Sequence, residues 1–139
     1  MGLDEFINQL PEDDQSAINY ASLPELSRLT GPEASEFGQL WLEWSSERVL
    51  NIVERMVSLC ETQPDVEFEV IYKQGLNHPE PAVRVASLKG LEESEDRALV
   101  IPLSKMLKSD PAPEVRTAAT IPLAHLSMMA EIGKLSPRY

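Results

Sequence analysis

From residue 30 onward the apolar positions of this 139-residue chain recur every three to four residues, the spacing of helices that bury one face. Thr30-Gly-Pro-Glu33 is a capping-box pattern with proline in the first turn. Behind it Phe37, Leu40, Trp41 and Trp44 fall on one stripe. Val49, Ile52, Val53, Met56, Val57 and Cys60 form the most regular stripe of the chain, ended by Pro64. Phe68, Ile71, Tyr72, Gly75 and Leu76 follow, and Pro79 and Pro81 then interrupt the pattern. Val83, Ala86, Ser87, Gly90 and Leu91 make the next stripe, and Leu99, Pro102, Leu103, Met106 and Leu107 another. Pro111 and Pro113 form a further break before Val115, Ala118, Ala119, Pro122, Leu123 and Leu126. Period-two alternation is confined to Val66–Val70, a short strand or, with Phe68 opening a stripe, part of a helix. The expectation is an all-α chain of about seven to nine helices, each of roughly 10–18 residues, with short proline-marked turns and antiparallel neighbours.

The chain also repeats itself. Residues 78–91 (HPEPAVRVASLKGL) align with 110–123 (DPAPEVRTAATIPL) at an offset of 32, and six of the 14 positions are identical. Pro81 and Pro113 suit the first helical position, where a missing N–H costs nothing. Pro79 and Pro111 keep each linker from joining the helix before it. Val83 with Leu91, and Val115 with Leu123, lie eight residues apart on one face. Ala86 and Ala118 allow close helix approach. A single helix pair cannot bury its apolar face alone, whereas stacked pairs can.

These residues, Pro79-x-Pro81-x-Val83-Arg84-x-x-Ala86 read with its second copy, Pro111-x-Pro113-x-Val115-Arg116 through Ala118-Ala119, resemble the HEAT-repeat superfamily, specifically the bacterial HEAT-like repeats first named from phycobilisome lyases. The resemblance implies a right-handed α–α superhelix, an armadillo-like solenoid of about four helix pairs. The resemblance covers two clear repeats at 66–127 and is consistent with a degenerate repeat at 30–62; residues 1–139 are read as one domain, with 1–29, outside the resemblance, as an acidic cap and 128–139 as a tail. It also implies an Asp110–Arg84 contact between repeats and gives Arg116 no evident repeat-derived partner. The first copy departs from the family pattern, with His78 where Asp is usual.

Composition narrows the chemistry. Twelve Lys+Arg against 23 Asp+Glu give a net charge of −11, and residues 1–36 alone hold eight acids and one base. Such a chain lacks the cations that bind a phosphate backbone or an anionic membrane. Cys60 is the single cysteine, which excludes an intrachain disulfide and a thiolate metal cluster. His78 and His125 stand 47 positions apart without a second ligand at metal spacing. No long apolar run and no basic-apolar leader are visible, so a soluble cytoplasmic protein is expected. Arg84 and Arg116 read as turn-to-helix ion-pair residues rather than anion ligands, and Cys60 as a buried packing residue. Of Trp41 and Trp44, one is expected in the core and one at the surface. Glu92, Glu93, Glu95 and Asp96 read as a solvated loop. No catalytic constellation or cofactor motif emerges, and no enzyme activity, cofactor or metal is expected.

The expected role is a non-catalytic protein–protein interaction scaffold. Its groove is drawn from helices at 32–44, 64–76, 80–92 and 112–127, with Glu43, Lys73, Arg84, Lys89 and Thr117 as exposed contact candidates. The charge favours a neutral or basic partner and salt-sensitive association. For the apolar C-terminal end (Met128, Met129, Ile132, Leu135) three readings stay open. The array continues beyond residue 139, the end forms a homodimer, or residues 129–135 fold back over the last pair. The alternatives implied by the resemblance are a lyase or lyase-associated subunit acting on a bilin chromophore, a DNA-repair activity that the charge opposes, and a structural segment of a longer HEAT array.

Overall fold

The computed structural model describes residues 2–11 and 20–135. The acidic positions Glu12, Asp13 and Asp14 and the tail 136–139 lie outside the described residues. Every regular element among the described residues is helical. In order they are α1 (Gly2–Asn8), a 3-10 segment (Tyr20–Leu26), α2 (Gly31–Leu40) with a 3-10 turn at Trp41–Glu43, α3 (Ser46–Thr62), α4 (Glu69–Gly75), α5 (Pro81–Gly90), a 3-10 turn (Arg97–Leu99), α6 (Val100–Ser109), α7 (Pro113–Ala118) and α8 (Thr120–Leu135). No helix among them is long and apolar enough to cross a membrane.

Local chemistry sets the boundaries. The Thr30 hydroxyl accepts from the Glu33 N–H at 3.2 Å, and the Glu33 carboxylate accepts from the Thr30 N–H at 3.1 Å, a reciprocal cap that starts α2. Ser45 caps α3 by accepting from the Arg48 N–H at 3.1 Å. Pro81 and Pro113 open α5 and α7. Helix α4 starts only at Glu69, with Phe68 as its N-cap, so Val66–Val70 forms no strand and the helix is shorter than its apolar stripe implied. The helix expected over 112–127 is divided at Ala119. Pro122 causes the division: its ring cannot donate to the Ala118 carbonyl and crowds it. Beyond this break α8 continues to Leu135, through part of the segment expected to be tail.

The two proline turns share one hydrogen-bond plan. The His78 imidazole accepts from the Glu80 N–H through Nδ1 at 3.1 Å, and Asp110 Oδ1 accepts from the Ala112 N–H at 3.0 Å. Each side chain closes its turn by taking the N–H two residues on, as an Asx turn does, so His78 replaces aspartate without loss of this contact. Six residues further, Arg84 donates to the His78 carbonyl at 2.8 Å and Arg116 to the Asp110 carbonyl at 2.6 Å.

Helix α3 packs on α5 and α5 on α7, while α2 packs on α4 and α8 on α6 and α7; α4–α5 and α6–α7 pair directly. One continuous apolar cluster runs through these contacts, from Phe6 and Phe37 through Trp41, Ile52, Phe68 and Val83 to Leu103, Val115 and Leu126. Trp41 is buried, whereas Trp44 is half-buried and packs edge-on against Phe37 with centroids 5.7 Å apart. The α4–α5 crossing depends on small residues. A Cβ on Gly75 would fall 1.9 Å from Ser87 Oγ, and one on Gly90 2.6 Å from the Tyr72 ring. Val83 and Val115 are both fully buried, but Leu91 is buried and Leu123 only partly, because the break at Ala119 turns the second copy out of register.

Candidate interaction groove

Helix α3 carries two stripes. Val49, Ile52, Val53 and Met56 enter the core. Leu50, Glu54, Val57 and Glu61, spaced four, three and four residues apart, share the adjoining face. On α5, Pro81, Ala82, Val85 and Lys89 make the matching stripe. Where α3 packs against α5 these two stripes line a groove of about 670 Å³, to which Glu80 and Glu114 of α7 also contribute. A smaller cavity of about 300 Å³ adjoins it, sharing Val57, Glu61 and Lys89 and adding Cys60, Tyr72, Glu92 and Glu93.

The groove thus has an apolar floor (Leu50, Val57, Val85) and four carboxylates (Glu54, Glu61, Glu80, Glu114), and with the adjoining cavity's Glu92 and Glu93 six carboxylates share one ammonium, Lys89. Among the described residues no salt bridge engages any of the six. Carboxylates gathered along apolar walls focus a negative potential that attracts cations.

A second cleft of about 680 Å³ lies between α4 and α6, lined by Leu76, Leu99, Pro102 and Met106. Its charges are mostly neutralised internally. Lys73 pairs with Asp96 and, at 3.9 Å, with Glu69, and Asp110 is held by Arg84. The Asp96 carboxyl lies below its ordinary range because Lys73 and then the Ala98 N–H donate to it. Burial pushes Asp110 upward, but the hydrogen bonds from Arg84 and Ala112 and the charges of Arg84 and Arg116 outweigh it and hold the carboxyl below the usual range.

Of the five contact candidates read from the sequence, only Lys89 lines the groove. Glu43 and Thr117 are exposed but stand outside both cavities. Lys73 and Arg84 are not the exposed residues expected: Lys73 is half-buried in its ion pairs, and the Arg84 side chain is 11% exposed, spent on Asp110 and on the carbonyls of His78 and Pro79. The long wall of the groove is α3, which the expected groove left out.

The remaining candidates also have places. His78 is buried and edge-on to Trp41 with centroids 5.9 Å apart. Burial lowers its pKa, Glu80 opposes and Arg84 adds to the lowering, which favours the neutral ring. His125 is half-buried on α8. Cys60 is half-buried rather than buried, its sulfur 3.7 Å from the Tyr72 hydroxyl, which burial and then this thiol push far above its ordinary range. Among the described residues no three His, Cys, Asp or Glu side chains are grouped to hold a metal ion. Scans of the chain against protein families, curated proteins and solved structures return no match.

Proposed function

We propose that this chain is a HEAT-type helical-repeat interaction module, a right-handed α-solenoid whose α3–α5–α7 row grips a basic segment of a partner protein. Support for the solenoid comes from the shared hydrogen-bond plan of the two proline turns and from the successive packing of α3, α5 and α7. The observation that carries the binding role is the groove with its adjoining cavity, where six carboxylates that no salt bridge engages among the described residues stand against one lysine beside an apolar floor. No catalytic group is needed for this role.

The partner chemistry follows from the lining. Lys or Arg side chains of the segment meet Glu54, Glu61, Glu80 and Glu114, while an aliphatic residue covers Leu50, Val57 and Val85. Helix α5, with 10 residues, is about 15 Å long. That length spans about four or five residues of extended chain or a short amphipathic helix.

The test is fluorescence anisotropy with a labelled peptide of about eight residues combining Lys/Arg and Leu, against the same peptide with Glu in place of its bases. The basic peptide binds with micromolar affinity in dilute salt and about tenfold more weakly at 0.5 M NaCl, where the Debye length is only a few ångströms. Glu54→Lys with Glu61→Lys abolishes binding. Equal affinity for the two peptides, or undiminished binding by the double variant, contradicts the proposal.

A further inference from the structure

Helix α6 lies in a stretch unlike the rest of the chain. Between Asp96 and Asp110 the sequence carries three bases, Arg97, Lys105 and Lys108, and no acid, and no other interval between successive acids holds as many bases. The helix also leaves apolar side chains uncovered. Val100 is 40% exposed, Leu107 36%, and Ile101 81%, the highest value of any large apolar side chain among the described residues. Ile101, Lys105 and Lys108 are all exposed, and their separations of four and three residues place them within an arc of about 60° on the helix. Val100 and Leu107, seven residues apart, run along a line beside that arc. Among the described residues no salt bridge engages Lys105 or Lys108.

We infer that α6 of one copy seats on the α3–α5 groove of a second copy, so that the chain associates head to tail. The inference rests on the groove's reading as a site for a basic segment and names that segment. The two surfaces are opposite in charge and alike in build. The groove sets Glu54, Glu61, Glu80 and Glu114 around an apolar floor; α6 sets Lys105 and Lys108 beside Ile101. Helices α5 and α6 have 10 residues each, so both faces run for about 15 Å. Charge also excludes the symmetric contacts. Groove on groove would press carboxylates together, and α6 on α6 would press lysines together, whereas α6 on groove joins unlike charges. The net charge of −11 repels the two bodies as wholes. At 0.15 M salt, where the Debye length is about 8 Å, that repulsion is screened and the pairs at the contact are not. A face about 10 Å wide is small beside the roughly 800 Å² per partner of a standard interface, so the association is weak and reversible. Because the contact joins different surfaces, it adds copies beyond two unless a ring closes.

Sedimentation equilibrium of the full chain from about 5 to 500 μM in 0.15 M NaCl, the range in which a weak interface populates, tests it. The mass rises with concentration from 15.5 kDa, and the rise is lost in 0.5 M NaCl. Lys105→Ala with Lys108→Ala, and separately Glu54→Gln with Glu61→Gln, each stay monomeric with an unchanged far-ultraviolet circular dichroism spectrum. Mixed together they form a 1:1 dimer, since one supplies an intact groove and the other an intact α6. Ile132→Glu, on the exposed face of α8, associates like the unaltered chain. A monomer at every concentration, no recovery on mixing, or association that is lost in Ile132→Glu overturns the inference. The basic peptide separates this result from the groove's own reading: it binds the Lys105→Ala, Lys108→Ala variant as tightly as the unaltered chain. Peptide binding without self-association overturns the inference and leaves the groove reading standing, and loss of both overturns both.

Discussion

Arg84 on α5 and Asp110 before α7 are joined by two hydrogen bonds of 3.0 Å, Nε to Oδ2 and Nη2 to Oδ1, with side chains 11% and 7% exposed. The same guanidinium donates to the carbonyls of His78 and Pro79, so one side chain fastens its own turn to the next. The planar fork of arginine is what makes both sets of bonds available at once. Asp110→Ala strands a nearly buried guanidinium and costs about 2–4 kcal/mol. Arg84→Lys keeps the charge and still loses most of that stability. Urea denaturation of the two single variants and the double variant gives a coupling above about 1.5 kcal/mol; additive losses would show that the pair does not join the turns.

Acid destabilises the fold in two steps. His78 has a lowered pKa in the folded chain. Its unfolded form binds the extra proton first, so stability falls as pH drops below about 6.5. Asp96 and Asp110 are held below the carboxylate range. Their contribution is present above about pH 4 and is lost as pH falls through their folded values. His78→Asn keeps an acceptor for the Glu80 N–H and removes the first step, leaving the second. Thermal melts between pH 3 and 8 check this. A first step of unchanged size in His78→Asn would assign it to another group.

At the α4–α5 crossing, Ser87 is fully buried and its hydroxyl has no hydrogen-bond partner among the described residues. Ser87→Ala therefore raises stability by up to about 1 kcal/mol. Gly75→Ala drives a methyl into the same side chain and costs about 2–3 kcal/mol, and Ser87→Gly in the same chain recovers part of the loss. If Ser87→Ala destabilises by a similar amount, the hydroxyl has a role that the packing does not explain.

The groove carboxylates repel one another in the absence of a cationic partner. Glu54→Lys with Glu61→Lys places opposite charge beside Glu80 and Glu114, so the melting temperature rises by about 1–3 °C while the basic peptide is no longer bound. A site under selection for binding trades stability in this way. A lower melting temperature together with lost binding would mean that the substitutions act on folding instead.

The elements were legible in the sequence wherever local chemistry decides them. Thr30 with Glu33, Pro81 with Pro113, and the buried stripe from Val49 to Met56 are interactions within a few residues, and each has its place in the structure. The break at Ala119 was hidden because Pro122 stands where an uninterrupted apolar stripe was also satisfied. The groove was hidden for a different reason. Its carboxylates come from α3, α5 and α7, and only the packing of those helices brings them together. A usable signal was present in the second stripe of α3, where Leu50, Glu54, Val57 and Glu61 alternate apolar and acidic positions on one face. Arg84 drew notice because it stands in the repeat, and that same position ties it to Asp110 and removes it from the binding surface.

The groove assignment is tested most directly by mapping amide chemical shifts of the isotopically labelled chain as the basic peptide is added. The account predicts that the largest changes fall on Leu50, Glu54, Val57 and Glu61 of α3 and on Ala82, Val85 and Lys89 of α5, with the α4–α6 cleft undisturbed. Changes centred on Leu76, Leu99 and Met106, or spread evenly over the acidic surface, would contradict it.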